Sequence, residues 1–207
     1  MALVAPRTHY SPEEYLALER EAEYRSEYVD GEIVAMAGAS RRHNLISLNV
    51  AAELHGQLKG RPCETYAADM RLGVDLARHY TYPDVAVVCG EPEFLDDGNF
   101  DILLNPTVLV EVLSPTTEDY DRGRKVARYR RLGTLTDYVL VAQDRMQVEH
   151  YRREGMNWLL SEYSEPDAVV DLPAVGCRLT LAEIYARVTF SPSNEDPNAD
   201  GPTALRR

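Results

Sequence analysis

The sequence predicts an α/β (α+β) fold in which helices flank a mixed central sheet. Three observations carry this. Residues 82–89 (YPDVAVVC) and 106–114 (PTVLVEVLS) are short apolar runs of the kind that strands buried on both faces require. Between His43 and Lys59 the apolar residues Ile46, Val50, Leu54 and Leu58 recur every four positions, a core-facing helical stripe. The order of elements is helix, three strands, helix, strand, framed by an N-terminal hairpin and C-terminal strands.

Taken in order, Ser11-Pro12-Glu13-Glu14 starts a helix over about 12–23, with Ser11 capping, Pro12 in the first turn and Glu14 reaching back. EYVDGEIVAMAG follows, and Asp30-Gly31 tolerates the positive φ of a tight turn, so 26–37 reads as a hairpin. The 43–59 helix stops at Gly60. CETYAADMRLGV (63–74) is a first strand, and the two apolar runs form the sheet centre. Residues 90–105, with Gly, Asp and Asn, are a surface loop. A helix over roughly 117–131 opens at a threonine cap and ends near Gly133. DYVLVAQ returns to the sheet, then QVEHYRR, NWLLSEY and DAVVDL alternate as strands before a last helix with a Thr180/Glu183 capping box. Residues 1–190 form one domain, and 191–207, polar and Pro-rich, form a disordered tail.

Net charge is -12, which opposes a non-specific nucleic-acid coat but suits a carboxylate cluster that takes up a divalent cation. Cys63, Cys89 and Cys177 lack zinc or redox spacing and are expected as reduced core residues. The N-terminal residues lack the continuous apolar stretch of a secretory signal, and no segment suits a bilayer, so a cytoplasmic location without membrane association is expected. His9, His55, His79 and His150 lack ligand spacing and are expected at the surface. No nucleophile elbow, Cys-His pattern or P-loop is present.

The chemistry concentrates at Asp84 and Glu111. A carboxylate inside LVEVLS is costly to bury unless paired, hydrogen-bonded or metal-bound. If the two strands are neighbours, both acids meet at one edge and offer hard oxygens to Mg²⁺ or Mn²⁺, with the Val112 carbonyl as a further ligand. Asp121, Lys125 and Tyr129, spaced by four, share a helix face that lies close behind Glu111. Lys125 would orient or help deprotonate an attacking water and balance charge on a pentavalent phosphorus. The bland alternative is a buried pair of Glu111 with Arg124 or Arg128. In DRGRKVARYRR, Arg122, Arg124 and Arg128 offer a phosphate-tracking patch, or else a solvated face paired with Glu118, Asp119 and Asp121.

Together EYVDGEIVAMAGASRRHN, the Asp69 strand, YPDVAVVC, PTVLVEVLSPTT, the Asp121–Lys125–Tyr129 ladder and DYVLV, between Glu27 and Val188, resemble the Uma-two family of restriction endonucleases, within the PD-(D/E)XK nuclease superfamily. The resemblance implies a restriction-endonuclease-like core, with an N-terminal hairpin and a C-terminal strand extension, in which Asp84 and Glu111 hold the metal and a lysine assists phosphodiester hydrolysis. The superfamily's Glu-x-Lys would place lysine at 113; this chain has Leu113, and Lys125 is the substitute. His43, Glu27, Glu32 and Asp69 carry over as supporting catalytic residues, His43 toward the scissile phosphate and an acid toward a second metal or its water. The expected function is a metal-dependent endonuclease acting on nucleic acid, DNA first, as a homodimer. The alternatives are a non-catalytic nucleic-acid-binding or protein-interaction module with the same fold, and hydrolysis of a small phosphodiester.

Overall fold

The computed structural model describes residues 9–36, 38–75, 78–115 and 117–190. Helix α1 (Pro12–Glu21) begins with the expected capping box: Ser11 Oγ accepts the Glu14 amide, and the Glu14 carboxylate accepts the Ser11 amide. Strands β1 (Ser26–Val29) and β2 (Glu32–Ala35) meet at Asp30 and Gly31, both at positive φ, 48° and 98°. That is the mirror-image turn a two-residue hairpin favours. Ala37, the end of the expected hairpin, lies outside the described residues. Helix α2 (Arg41–Leu58) buries Ile46, Val50, Leu54 and Leu58, the stripe read from the sequence.

The next segment departs from expectation. Residues 63–74 are not one strand but two, β3 (Cys63–Ala67) and β4 (Arg71–Val74), which belong to different sheets. The break falls at Ala68, in a left-handed conformation (φ 57°), where the chain leaves one sheet for the other. β5 (His79–Thr81) and β6 (Val85–Cys89) follow. The expected surface loop contains a short buried strand, β7 (Ile102–Leu103), which pairs parallel with β4. After β8 (Val108–Leu113) the expected helix is composite: α3 (Glu118–Tyr120), a π-helical turn Asp121–Lys125, and α4 (Val126–Tyr129). Thr117 does not cap it, because its backbone is already helical and its hydroxyl pairs with Ser114 Oγ at 2.9 Å. The chain continues through β9 (Asp137–Ala142), β10 (Val148–Glu154), β11 (Asn157–Tyr163), β12 (Val169–Leu172) and β13 (Cys177–Thr180) to α5 (Leu181–Ile184), whose Thr180/Glu183 capping box is formed as expected. The expected tail, 191–207, lies outside the described residues.

The main sheet runs β11-β10-β9-β8-β6-β3, mixed because only β8 and β9 are parallel. A second sheet, β2-β1-β5-β4-β7, is hydrogen-bonded separately from it, and β12 and β13 form a pair of their own. The two-residue period of β8 distributes its side chains between two cores. Val108, Val110 and Val112 join α2 and the C-terminal strands, while Leu109 and Leu113 join the helical segment after β8 and Leu72 and Val74 of β4. Glu111 belongs to the second face, flanked by leucines. A third cluster, Tyr15, Leu16, Tyr28, Tyr80 and Ile102, packs α1 on the smaller sheet.

Two expectations about single residues are corrected here. Cys63 and Cys89 are directly opposed across β3 and β6 and form a disulfide, leaving Cys177 as the free, buried thiol. Their separation along the chain hid a pairing that strand register creates. His79 and His150 are buried, at 1% and 3% exposure, because each lies on a strand covered on that face; His150 Nε2 meets Asp137 Oδ1 at 2.7 Å. Among the described residues no helix is long and apolar enough to cross a membrane.

Candidate active site

β6 and β8 are antiparallel neighbours, but their ladder ends at Val85↔Val110. Asp84, one residue before β6, occupies the next position and substitutes a side chain for the missing backbone partner: its Oδ2 accepts the Val112 amide at 2.7 Å. Within a strand the N–H and C=O of one residue point to the same side. The Val112 carbonyl therefore also faces the Asp84 side, past the last β6 pair.

Glu111, buried on the neighbouring position of β8, is held by two donors on one oxygen. Lys125 Nζ lies 2.8 Å from Oε1, and the Tyr129 hydroxyl donates to the same atom at 2.9 Å. Lys125 is also buried, and two more carboxylates surround it: Glu27 Oε1 at 3.2 Å, from the smaller sheet, and Asp121 Oδ1 at 3.5 Å, one turn back. Thr81 Oγ1 donates to Glu27 and lies 3.4 Å from the Tyr129 hydroxyl oxygen. The π-helical turn puts Asp121 and Lys125 on the same inward face, and such single π turns recur at functional sites.

The electrostatics follow from one ammonium facing an excess of acids. Burial would lower the Lys125 pKa, but the surrounding oxygens of Glu111, Tyr129, Glu27 and Asp121 outweigh it and hold the ammonium well above its ordinary value. Burial raises Glu111 well above the carboxylate range; Lys125 opposes this, while Asp121 and Asp84 add to it. Burial also raises Asp121, only partly offset by Lys125. Glu27 is pushed up by burial and pulled down further by Lys125 and Thr81, for a net lowering. Three carboxylates, Glu111, Glu27 and Asp121, thus share one lysine, with Asp84 adding a fourth negative charge beside Glu111, and the remainder of the negative charge calls for protons or for a further cation.

That donor set fits a divalent ion. Among the described residues, every protein contact to the Asp84 carboxylate falls on Oδ2 and every one to the Glu111 carboxylate on Oε1. The other oxygens, Asp84 Oδ1 and Glu111 Oε2, take none, and neither is among the solvent-sealed polar atoms that lack a partner. With the Val112 carbonyl they are the hard oxygens at the end of the β6–β8 ladder that could hold such an ion. No group of three His, Cys, Asp or Glu side chains forms a metal site by itself among the described residues, so backbone and water would complete the shell.

The other expected residues are placed unequally. His43, in the first turn of α2, brings Nε2 to 3.4 Å from Asp84 Oδ2, with Ser47 Oγ 3.4 Å from its other ring nitrogen. Asp69 is 72% exposed and pairs with Arg25. Glu32 is exposed on β2 and is not part of the cluster around Lys125. Of the arginines, Arg122 is tied to Glu118 and Glu149, and Arg128 to Asp30, His79 Nδ1 and the Tyr120 hydroxyl. Arg124 is exposed and makes no ion pair with a described residue. The buried partner of Glu111 is Lys125 rather than Arg124 or Arg128. Thr81 was not foreseen: nothing in its spacing marks it, since the smaller sheet brings it in across the chain.

A family model described as "Putative restriction endonuclease", Uma2, matches residues 12–182. Two similar chains come from Synechocystis sp. (strain ATCC 27184 / PCC 6803 / Kazusa). One, "Uncharacterized protein sll1609", is 36% identical over 172 residues, 83% of this chain and 97% of that one. The other, "Uncharacterized protein slr1290", is 35% identical over 187 residues, 90% of this chain and 96% of that one. The fold is similar to a crystal structure from Anabaena variabilis ATCC 29413, titled as a "putative nuclease belonging to DUF820", with TM-score 0.70, 23% identity, and coverage of 85% of this chain and 97% of that one. With its restriction-endonuclease-like core and a match spanning most of its length, the chain belongs to the Uma2 family.

Proposed function

We propose that this protein is a metal-dependent endonuclease that hydrolyses phosphodiester bonds of nucleic acid, DNA first among them. The observation that carries the reading is the gathering of Asp84 and Glu111 at the end of the β6–β8 ladder, with Lys125 on Glu111 and an unused oxygen on each acid. Asp84 Oδ1, Glu111 Oε2 and the Val112 carbonyl are the atoms that would hold Mg²⁺ or Mn²⁺. Such an ion polarises the phosphoryl group and lowers the pKa of a bound water. Lys125 is held protonated by its acidic neighbours, so its part is to donate a hydrogen bond and offset charge building on the phosphoryl oxygens, not to accept the proton of the water. Glu27, Asp121 and Tyr129 fix the ammonium and the Glu111 carboxylate in place. His43, beside Asp84 at the positive end of α2, would meet a phosphate oxygen. Arg124 is available for phosphate contact outside the buried cluster.

A plasmid-nicking assay with Mg²⁺ or Mn²⁺ tests this. Wild type should nick, while D84N and E111Q should lose at least about a hundredfold in rate, as removal of one electrostatic stabiliser does. Full activity in both variants, or an inert wild type that also fails to bind Mg²⁺ by calorimetry, would leave a non-catalytic module with this fold.

A further inference from the structure

β11 ends the main sheet, and among the described residues nothing pairs with its outer edge. Most edge strands are guarded by being short, by proline, by a bulge or by charge. This one runs seven residues in unbroken register with β10 and contains no proline or lysine. Two of its leucines on opposite faces are open to solvent, Leu159 at 43% and Leu160 at 45%. Met156, in the turn leading into it, is 97% exposed.

The direction of its free hydrogen-bonding groups is fixed by the hairpin. Glu154 and Asn157 flank the two-residue turn Gly155-Met156 and pair with each other. Along an antiparallel strand the inward and outward backbone groups alternate. Asn157, Leu159, Ser161 and Tyr163 therefore bond to β10, and Trp158, Leu160 and Glu162 present their N–H and C=O outward.

We propose that β11 is a self-association edge, whose occupant is β11 of a second copy of this chain, antiparallel about a two-fold axis at Leu160. That register satisfies all three outward residues on each strand, for roughly six backbone hydrogen bonds. It sets Leu160 against its own copy. It brings Glu162 of one chain opposite Trp158 of the other, where the Arg153 guanidinium stacks 4.5 Å from the indole centroid, so an acid meets a cation. It also brings Met156 to the level of Ser164 of the other chain. There a hollow of about 400 Å³, lined in part by Met146, Tyr163 and Ser164, receives a thioether. The two-fold lies perpendicular to the joined sheet, so both candidate active sites open on the same face. Seven strand intervals separate the two copies of β8, roughly 34 Å across the strands, close to a turn of B-DNA. Only this last consequence rests on the nuclease reading.

Sedimentation velocity from low to high micromolar concentration tests the edge. Wild type should be a dimer that dissociates on dilution. Leu160→Pro, which removes an outward N–H and leaves the β10 ladder intact, and Leu160→Lys should both shift to monomer. Val34→Lys, on the exposed edge strand β2, should remain a dimer. A monomeric wild type at every concentration overturns the proposal, as does a dimer that survives both Leu160 variants or is lost in Val34→Lys. Should the proline variant not fold, hydrogen exchange of wild type decides: the amides of Trp158, Leu160 and Glu162 should be protected only when concentrated, and unprotected amides in a dimer overturn the pairing.

Discussion

Removing the Lys125 ammonium leaves Glu111, Glu27 and Asp121 facing one another in a buried space. Breaking such a pair from one side costs more than the pair was worth, roughly 3–5 kcal/mol, because the surviving charges stay buried and unmatched. K125M should therefore be destabilised by about that amount in urea titrations, and part of the loss should return with Mg²⁺, which offers the acids another cation. A variant as stable as wild type without metal would mean that the acids are already neutral without the lysine. His79 gives a pH-dependent counterpart. Burial, with Arg128 nearby, lowers its pKa to about 4 from 6.5, so the folded state holds the ring neutral while the unfolded state takes up a proton. Its contribution is complete above pH 6.5 and is lost as the pH falls toward 4, up to about 3 kcal/mol in all. Glu111 and Asp121, with raised values, bind protons more readily when folded and act in the opposite sense, so total stability does not isolate the effect. The difference in stability between wild type and H79Q does, and it should shrink through that window. An imidazole titrating near 6.5 by NMR would contradict it.

The hairpin is where an element depends on a single backbone angle. Gly31 sits at φ 98°, and an added Cβ would come 2.7 Å from His9 Cδ2. Gly31→Ala combines a left-handed strain of roughly 1–3 kcal/mol with that overlap. Because β1 carries Glu27, the loss should reach the site as well as the fold. Asp30, at φ 48°, is a position asparagine also tolerates, so D30N should cost less than about 1 kcal/mol, the worth of its half-exposed pair with Arg128. Equal losses in the two variants by denaturant titration would refute the assignment of strain to Gly31. This turn, the two capping boxes and the α2 stripe were legible in the sequence because each is a local rule linking residues at most a few positions apart. The break of 63–74 into two strands was not, since its residues favour extended structure throughout and only the competition between two sheets divides them. Nor was the π-helical turn legible. Asp121, Lys125 and Tyr129 mark the inward face at α-helical spacing, and that spacing does not distinguish an α-helical turn from the π-helical one.

Across the whole molecule, what escaped the sequence is adjacency. Asp84, Glu111 and Lys125 were readable as a group because β6, β8 and the following helix are near neighbours in the chain as well as in space. Thr81 was not, arriving from a different sheet. Cys63 and Cys89 belong with Thr81: only the antiparallel register of β3 and β6 sets them face to face. Their disulfide lies at one end of that strand pair, and Asp84 at the other, where the Ala68 amide donates to the Asp84 carbonyl at 3.0 Å. A link closing 26 residues of chain restricts the unfolded state by about 3.5 kcal/mol on the loop-entropy relation, and β3, a sheet edge bonded to β6 alone, is the element with most to lose without it. C63S/C89S, or wild type under reductant, should unfold with a lower urea midpoint and a somewhat steeper slope, because the unlinked unfolded chain is less compact. Hydrogen exchange should quicken first in Glu64–Ala67, before the β8–β9 core. Uniform loosening across the main sheet would instead mean that the edge strand and the core unfold as one unit, with the disulfide stabilising both alike.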